Sequence, residues 1–190
     1  MPRSKTVTIA IISVVIILIL VGISYTTGYI TYPNTVKCYG RAVYIGTADK
    51  NTTIKVLKDV GFSPTLRDVR TDKKSNGTVF YIAVIDFHPW SGNLSNPNMT
   101  EERRKSTDYV QWAYVEIQNN TNSNHSKFSL NVQMKDPTVI YGLRITNAQK
   151  KEIFDLLQGI LKNIDFIFKT LLNLTRDPSD YTSGAGCTAR

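Results

Sequence analysis

Residues 146–174 read TNAQKKEIFDLLQGILKNIDFIFKTLLNL, and this stretch decides the fold. Its apolar side chains recur every three or four residues, which is the spacing of one face of an α-helix. Thr146 and Gln149 form a capping box at the start, and Asp177-Pro178 predicts the end. The sequence therefore predicts a long amphipathic helix that lies on a sheet. The middle of its apolar stripe consists of Ile153, Leu157, Ile160, Ile164, Ile167 and Leu171.

The residues upstream of this helix predict an antiparallel sheet. Residues 128–134 alternate apolar and polar side chains, as a strand with one buried face does. The apolar run 79–87 predicts a strand that is buried on both faces. Further strands are expected at 37–45, 65–71, 109–118 and 138–145, a short helix at 51–60, and a loop at 88–107. The expected fold class is α+β, with a sheet of about five strands, one short helix and the long C-terminal helix.

The N-terminal segment predicts a membrane anchor. Residues 7–26 are almost wholly apolar, and no charged residue occurs between Thr6 and Val36. At about 1.5 Å per residue, roughly 20 helical residues span the 30 Å hydrocarbon core of a bilayer. We therefore expect a single transmembrane helix that contacts membrane lipid. A cleaved secretory signal and a pilin-type helix processed after Thr6 are the alternatives.

Charge predicts the orientation of this anchor. Arg3 and Lys5 precede it, and the next charged residue is Lys37. Because positive flanks stay in the cytoplasm, the N-terminus is expected inside the cell and the body outside, with the protein in the cell membrane. The expected organisation is a cytoplasmic tail and anchor at 1–27, a stalk at 28–36, an extracytoplasmic domain at 37–176 and a C-terminal tail at 177–190.

Glycosylation sequons support the same orientation. The chain has seven N-x-S/T triplets, whereas its Asn, Ser and Thr content would give about 2.5 by chance. All seven lie on the side that the charge rule places outside, where N-glycosylation occurs. The predicted glycosylation sites are Asn51, Asn76, Asn93, Asn98, Asn119, Asn124 and Asn173.

The two cysteines bracket the body of the chain. Cys38 precedes almost the whole domain and Cys187 follows it. In an oxidising compartment they are expected to form a disulfide, which in the chain-entropy model stabilises by up to about 4–5 kcal/mol. Two free or intermolecular thiols are the alternative, since spacing does not establish proximity.

The apolar stripe of the C-terminal helix suggests an interaction surface. A helix of about 29 residues is roughly 43 Å long, whereas strands of five to nine residues reach about 17–30 Å. Either loops of the same chain or another protein must cover the excess. No sequon lies between Asn124 and Asn173, so we expect the stripe to face a protein partner or a second copy.

The sequence offers little for catalysis. Only His88 and His125 could act as acid–base groups or imidazole ligands near neutral pH, and neither has a second ligand at metal-binding spacing. Cys38 has no histidine near it, and no hydrolase, nucleotide-loop, zinc-protease or dithiol motif is present. Asp86, Asp108 and Glu116 are expected to be solvated surface acids. We therefore expect no enzyme activity, cofactor or metal.

Net charge and composition indicate the kind of surface that the protein contacts and the kind of protein that it is. The net charge is +8, and its excess suits acidic glycans, an anionic surface layer or lipid headgroups. Nucleic acid would lie on the wrong side of the membrane. The 19 Ile against 13 Leu, with many Asn and Tyr, are typical of archaeal surface or viral envelope proteins. We expect an anchored structural or interaction protein; the alternatives are an accessory subunit of a membrane oxidoreductase or transport complex, and a pilin-like filament subunit.

Overall fold

The computed structural model describes residues 13–21, 36–94, 100–141, 145–181 and 183–189 of the 190-residue chain. Residues 13–21 form a helix, α1, whose large apolar side chains are exposed. Within the described residues, no helix combines the length and the apolar character that a bilayer crossing requires. Most of the expected anchor, 1–12 and 22–27, lies outside the described residues, as do 28–35 of the expected stalk.

The body is built on one antiparallel sheet. The order is β2-β3-β4-β5-β1, and both short C-terminal strands pair with the outer edge of β1. The strands are β1 (Val36–Gly46), β2 (Thr65–Lys73), β3 (Val79–Asp86), β4 (Val110–Asn120), β5 (Ser126–Met134), β6 (Thr175–Arg176) and β7 (Gly184–Ala189). The α+β class, the antiparallel sheet and the long C-terminal helix are thereby confirmed.

In the described part of the body, four helices accompany the sheet, and two of them cover one of its faces. They are α2 (Lys50–Asp59), α3 (Thr100–Tyr109), α4 (Pro137–Tyr141) and α5 (Asn147–Phe166), and α5 continues into a π-helical turn, Ile167–Leu171. The capping box of α5 forms as predicted, with Gln149 N donating to Thr146 Oγ1 and Thr146 N donating to Gln149 Oε1. We call the side under α2 and α5 the covered face and the other side the open face.

The core lies between the covered face and these two helices. β5 contributes Phe128, Leu130, Val132 and Met134, all fully buried, as the period-two pattern predicts. β1 contributes Cys38, Ala42 and Tyr44. Leu57 of α2 and Phe62 belong to the same cluster, and Phe62 stacks on Phe87 at 5.9 Å.

The interpretation of the α5 stripe as a partner-facing surface is wrong for five of its six residues. Ile153, Leu157, Ile160, Ile164 and Ile167 are fully buried in the core of the chain itself. Only Leu171, in the π-helical turn, is exposed.

The expected excess of helix length does not arise. The 20 residues of α5 span about 30 Å, and strands of 9 to 11 residues reach about 30–37 Å. The apolar residues beyond α5 turn back onto the sheet, and Leu174 packs against Gly46, where a Cβ would lie 2.3 Å from Leu174 Cδ2.

Three local predictions also differ from the structure. In the segment 138–145, where a strand was expected, residues 138–141 belong to the helix Pro137–Tyr141 instead, and residues 142–144 lie outside the described residues. The loop predicted at 88–107 ends in α3. Within the expected C-terminal tail, 177–190, Gly184–Ala189 forms a strand, β7, that was not predicted and that joins the sheet beside β1.

Candidate interaction surfaces and polar clusters

The sheet has two distinct ends. At the proximal end β1 begins, β7 ends and β5 runs out, and Val36 pairs with Ala189. At the distal end β1 finishes at Gly46 beside Ser126, and the β2–β3 and β4–β5 turns lie there. The chain therefore enters and leaves the body at the same end.

A disulfide closes the proximal end. Cys38 and Cys187 are bonded, and their Cα atoms lie 4.0 Å apart at directly opposed positions of β1 and β7. The predicted pairing is confirmed, and it is consistent with an oxidising, extracellular compartment. The bond links residues 149 positions apart, so it ties the last strand to the start of the body.

The sequon asparagines are exposed, and most lie at the distal end. All six in the described residues are exposed, while Asn98 lies outside them. Asn93 follows β3, in a connection that passes over α5, where Asn163 Nδ2 donates to the carbonyls of Trp90 and Gly92. The other five lie at or beside the distal turns and chain reversals: Asn51, Asn76, Asn119, Asn124 and Asn173.

The proximal part of the open face carries an aromatic and basic patch. Cross-strand pairing places Tyr39, Gln133 and Trp112 in one row, and Arg41, Asn131 and Tyr114 in the next. Tyr39 is 48% and Trp112 40% exposed. The Trp112 and Tyr114 rings lie 5.4 Å apart.

The charge of this patch is positive and unbalanced. Lys37, Arg41 and Lys135 are exposed or partly exposed there, and within the described part of the chain none of them pairs with an acidic side chain. A cavity of about 380 Å³ lies beside them, with Val139, 76% exposed, on its rim. Asp136 also lines the cavity, but it already interacts with another group of the protein. We define the open-face patch as Lys37, Tyr39, Arg41, Trp112 and Lys135.

A partly buried cluster of charged side chains holds the elements of the distal end together. Asp165 of α5 accepts hydrogen bonds from Tyr44 Oη at 2.8 Å and Arg176 Nε at 3.1 Å, and pairs with Lys169 Nζ at 2.9 Å. Partial burial alone would raise the pKa of Asp165, but these donors outweigh burial and lower it. Burial and the bond to Asp165 raise the pKa of Tyr44. The cluster joins β1, α5 and β6, so its role is structural.

A second hydroxyl cluster lies near the start of α5. Tyr141 Oη contacts Tyr109 Oη at 3.0 Å and donates to Glu152 Oε2 at 2.9 Å. Burial and these two bonds raise the pKa of Tyr141, so the phenol stays protonated and acts as a donor. This cluster connects α4 to α5 and to Tyr109, the last residue of α3.

The candidate catalytic groups do not converge. Asp86, Glu116 and Asp108 belong to separate ion pairs, with Arg67 at 3.4 Å, Arg70 at 3.6 Å and Arg104 at 3.6 Å. His88 and His125 are both exposed. Among the described residues, no three His, Cys, Asp or Glu side chains are grouped so that they could hold a metal ion.

Comparison with protein-family models, curated proteins and solved structures finds no match for this chain. Its surfaces must therefore be interpreted from their own chemistry. The open-face patch was not predicted because its members come from β1, from β4 and from the residue that follows β5, which are brought together only by the register of the sheet. An aromatic residue on the polar side of a predicted strand, such as Trp112, is the signal that could have found it.

Proposed function

We propose that this chain is a single-pass membrane protein whose glycosylated, extracytoplasmic body docks on an acidic surface of a partner protein. Residues 7–26 hold the bilayer, with the N-terminus in the cytoplasm. The nine residues 27–35 reach at most about 30 Å when extended, so the proximal end of the body stays near the membrane.

The observation that carries the anchoring is the uneven distribution of the sequons. Five of the six described sequon asparagines lie at the end of the sheet opposite Val36. Glycans on these sites would point away from the bilayer and leave the proximal end free for contact. The Cys38–Cys187 disulfide agrees with the same compartment.

The open-face patch supports the docking. Tyr, Trp and Arg are enriched among the residues that dominate protein interfaces. Tyr and Trp bury large areas with few rotatable bonds, and Arg adds charge and several hydrogen-bond donors. Lys37, Arg41 and Lys135 have no acidic partner within the described residues, so their charge is available to an acidic partner. In this proposal the docking surface is the open face, and α5 is its internal support.

Anchoring and orientation are tested with the full chain in its native membrane. Protease added to intact cells should remove the body, and peptide mass mapping should find sugar on sequon peptides and an intact N-terminus. A body that stays untouched in intact cells but is cut after lysis would contradict the orientation. A start after Thr6 would favour a pilin-like subunit.

Docking is tested by zero-length carbodiimide crosslinking, which joins lysines to nearby carboxylates, in intact membranes. In the crosslinked products, a peptide of this chain that contains Lys37 or Lys135 should be joined to a peptide of the partner protein. The double variant Arg41→Glu with Trp112→Ala should lower the yield about tenfold or more, equivalent to one 1.4 kcal/mol step in affinity. Lys55→Glu, an exposed lysine on α2, is the matched control. Equal crosslinking yields from the wild type, the double variant and the control would disprove docking through this patch.

A further inference from the structure

The covered face of the sheet has a part that α2 and α5 leave open. Beside the N-terminus of α2, toward the distal end, lies a groove of about 300 Å³. Ala83 and Ile117 form its floor, and Val69 and Tyr81, each 55% exposed, form its side. We call it the β2 groove. Its apolar lining favours an occupant that removes it from water.

One predicted glycosylation site lies on the rim of this groove. Asn119 is directly opposite Tyr81 in the β3–β4 register, so both side chains project from the covered face. Asn119 also lines the groove and is exposed. It begins the triplet Asn119-Asn120-Thr121. A sugar on its Nδ2 would therefore start at the groove.

We propose that the first sugars of a glycan on Asn119 occupy the β2 groove and cover Tyr81 and Val69. The inference rests on the proposed function, because N-glycans are added in the extracytoplasmic compartment. A sugar ring has one face of C–H groups, which can lie on the Tyr81 ring, and hydroxyls at its edge. Asp49 and Lys50, on the opposite rim, provide an acceptor and a donor for those hydroxyls.

The modification balances chemically with a lipid-phosphate-linked oligosaccharide as donor. A bond forms between Asn119 Nδ2 and C1 of the sugar, and the bond between C1 and the donor's phosphate oxygen breaks. The amide loses one proton, and the lipid phosphate leaves with the bonding electrons. The enzyme that performs this transfer belongs to the cell, so the chain supplies only the acceptor and the groove.

The neighbouring sequon provides a matched comparison. Asn124 lies in the turn between β4 and β5, only five positions along the chain, and it is exposed. It does not line the β2 groove. A glycan on Asn124 should therefore add solubility without covering apolar surface.

The experiment uses the full chain purified from membranes of a glycosylating host, with hydroxyl-radical footprinting and peptide mass mapping. Asn119→Gln and Thr121→Ala both remove the sugar, and the second keeps Asn119. Both should raise the labelling of Tyr81 several-fold, toward that of Tyr39, which is similarly exposed on the other face. Both should also lower the melting temperature, whereas Asn124→Gln should change neither.

The outcomes separate this inference from the proposed function. A sugar on Asn119 whose removal leaves Tyr81 labelling unchanged overturns the inference alone, and so does a bare Asn119 beside occupied sequons elsewhere. Protection of Tyr81 that persists in Asn119→Gln would assign the groove to a separate ligand and also overturn it. If no sequon carries sugar and the body stays in the cytoplasm, the proposed function fails as well.

Discussion

The two ends of β1 are fastened by different chemistry. At the proximal end, β7 covers its outer edge and the Cys38–Cys187 bond makes the closure covalent. At the distal end, β6 covers the same edge with only two residues, and the Asp165 cluster holds it to α5. Without these two short strands, β1 would leave a row of unpaired backbone groups exposed.

This difference determines what each end responds to. A disulfide acts chiefly by restricting the unfolded chain, so the proximal end is sensitive to reductant. The ion cluster acts through charge and hydrogen bonds in the folded state, so the distal end is sensitive to acid. The same strand therefore depends on redox state at one end and on pH at the other.

The largest effect is expected from removing the disulfide. Cys38→Ala with Cys187→Ala should lower the free energy of unfolding by about 4–5 kcal/mol, because the closed loop is long. Urea unfolding of the detergent-solubilised chain measures it. Reductant should shift the midpoint of the wild-type protein and leave the double variant unchanged. An equal response of both proteins to reductant would contradict the assignment.

A smaller loss is expected at the distal end. Asp165→Asn removes the charge that Tyr44, Lys169 and Arg176 share, and should cost about 2 kcal/mol, since hydrogen bonds to a charged group are worth about 1.5–3 kcal/mol. Asp155→Asn is the control, because that carboxylate is largely exposed on the same helix and, among the described residues, pairs with Lys151 alone. Equal losses of free energy of unfolding in the two variants would show that the Asp165 cluster stabilises the protein no more than an exposed ion pair does.

Asp165 also predicts how the free energy of unfolding decreases at acidic pH. The pKa of Asp165 is lowered in the folded state, so the folded protein binds this proton less readily than the unfolded chain. Its contribution is therefore complete above the ordinary Asp pKa of about 3.9 and is lost as the pH falls through the lower folded value. Unfolding measured from pH 6 to pH 2, in steps of about one unit, should show a steeper decline for wild type than for Asp165→Asn. Parallel curves would contradict this.

The smallest effect is expected at the start of α5. Thr146→Ala removes the hydroxyl that caps Gln149 N and should lower stability by about 1 kcal/mol. Thr146→Ser keeps the hydroxyl and should stay close to wild type. Thermal unfolding followed by circular dichroism compares the two, and an equal loss in both variants would assign the effect to the lost methyl group.

Local patterns predicted the parts of this fold that local physics decides. The capping box of α5 and the alternation along β5 need only neighbouring residues, and both formed as expected. The strand expected at 138–145 does not form over its described first half, residues 138–141, and the reason is tertiary. Both sides of β5 are already paired, with β4 and β1, so no edge remained beside it for the chain that follows.

The composition of the surfaces could not be predicted, because it depends on which strands pair and in which register. β7 has small residues without alternation, and it joins the sheet through backbone pairing and Cys187. Tyr39 and Trp112 are distant in sequence and share a row of the sheet only through the register of β1, β5 and β4. Five residues of the α5 stripe were assigned to a partner because the helix was expected to be longer, and the strands beneath it shorter, than they are.

The outer strand β2 has a consequence for many copies of this chain that are crowded together. It is the far edge of the sheet, and Asp68, Arg70 and Asp72 follow one another along it, after an irregularity in pairing between Leu66 and Asp68. Charges and a break in register hinder the addition of a strand from another molecule. Molecules confined side by side at high density would therefore stay separate instead of joining edge to edge into fibres.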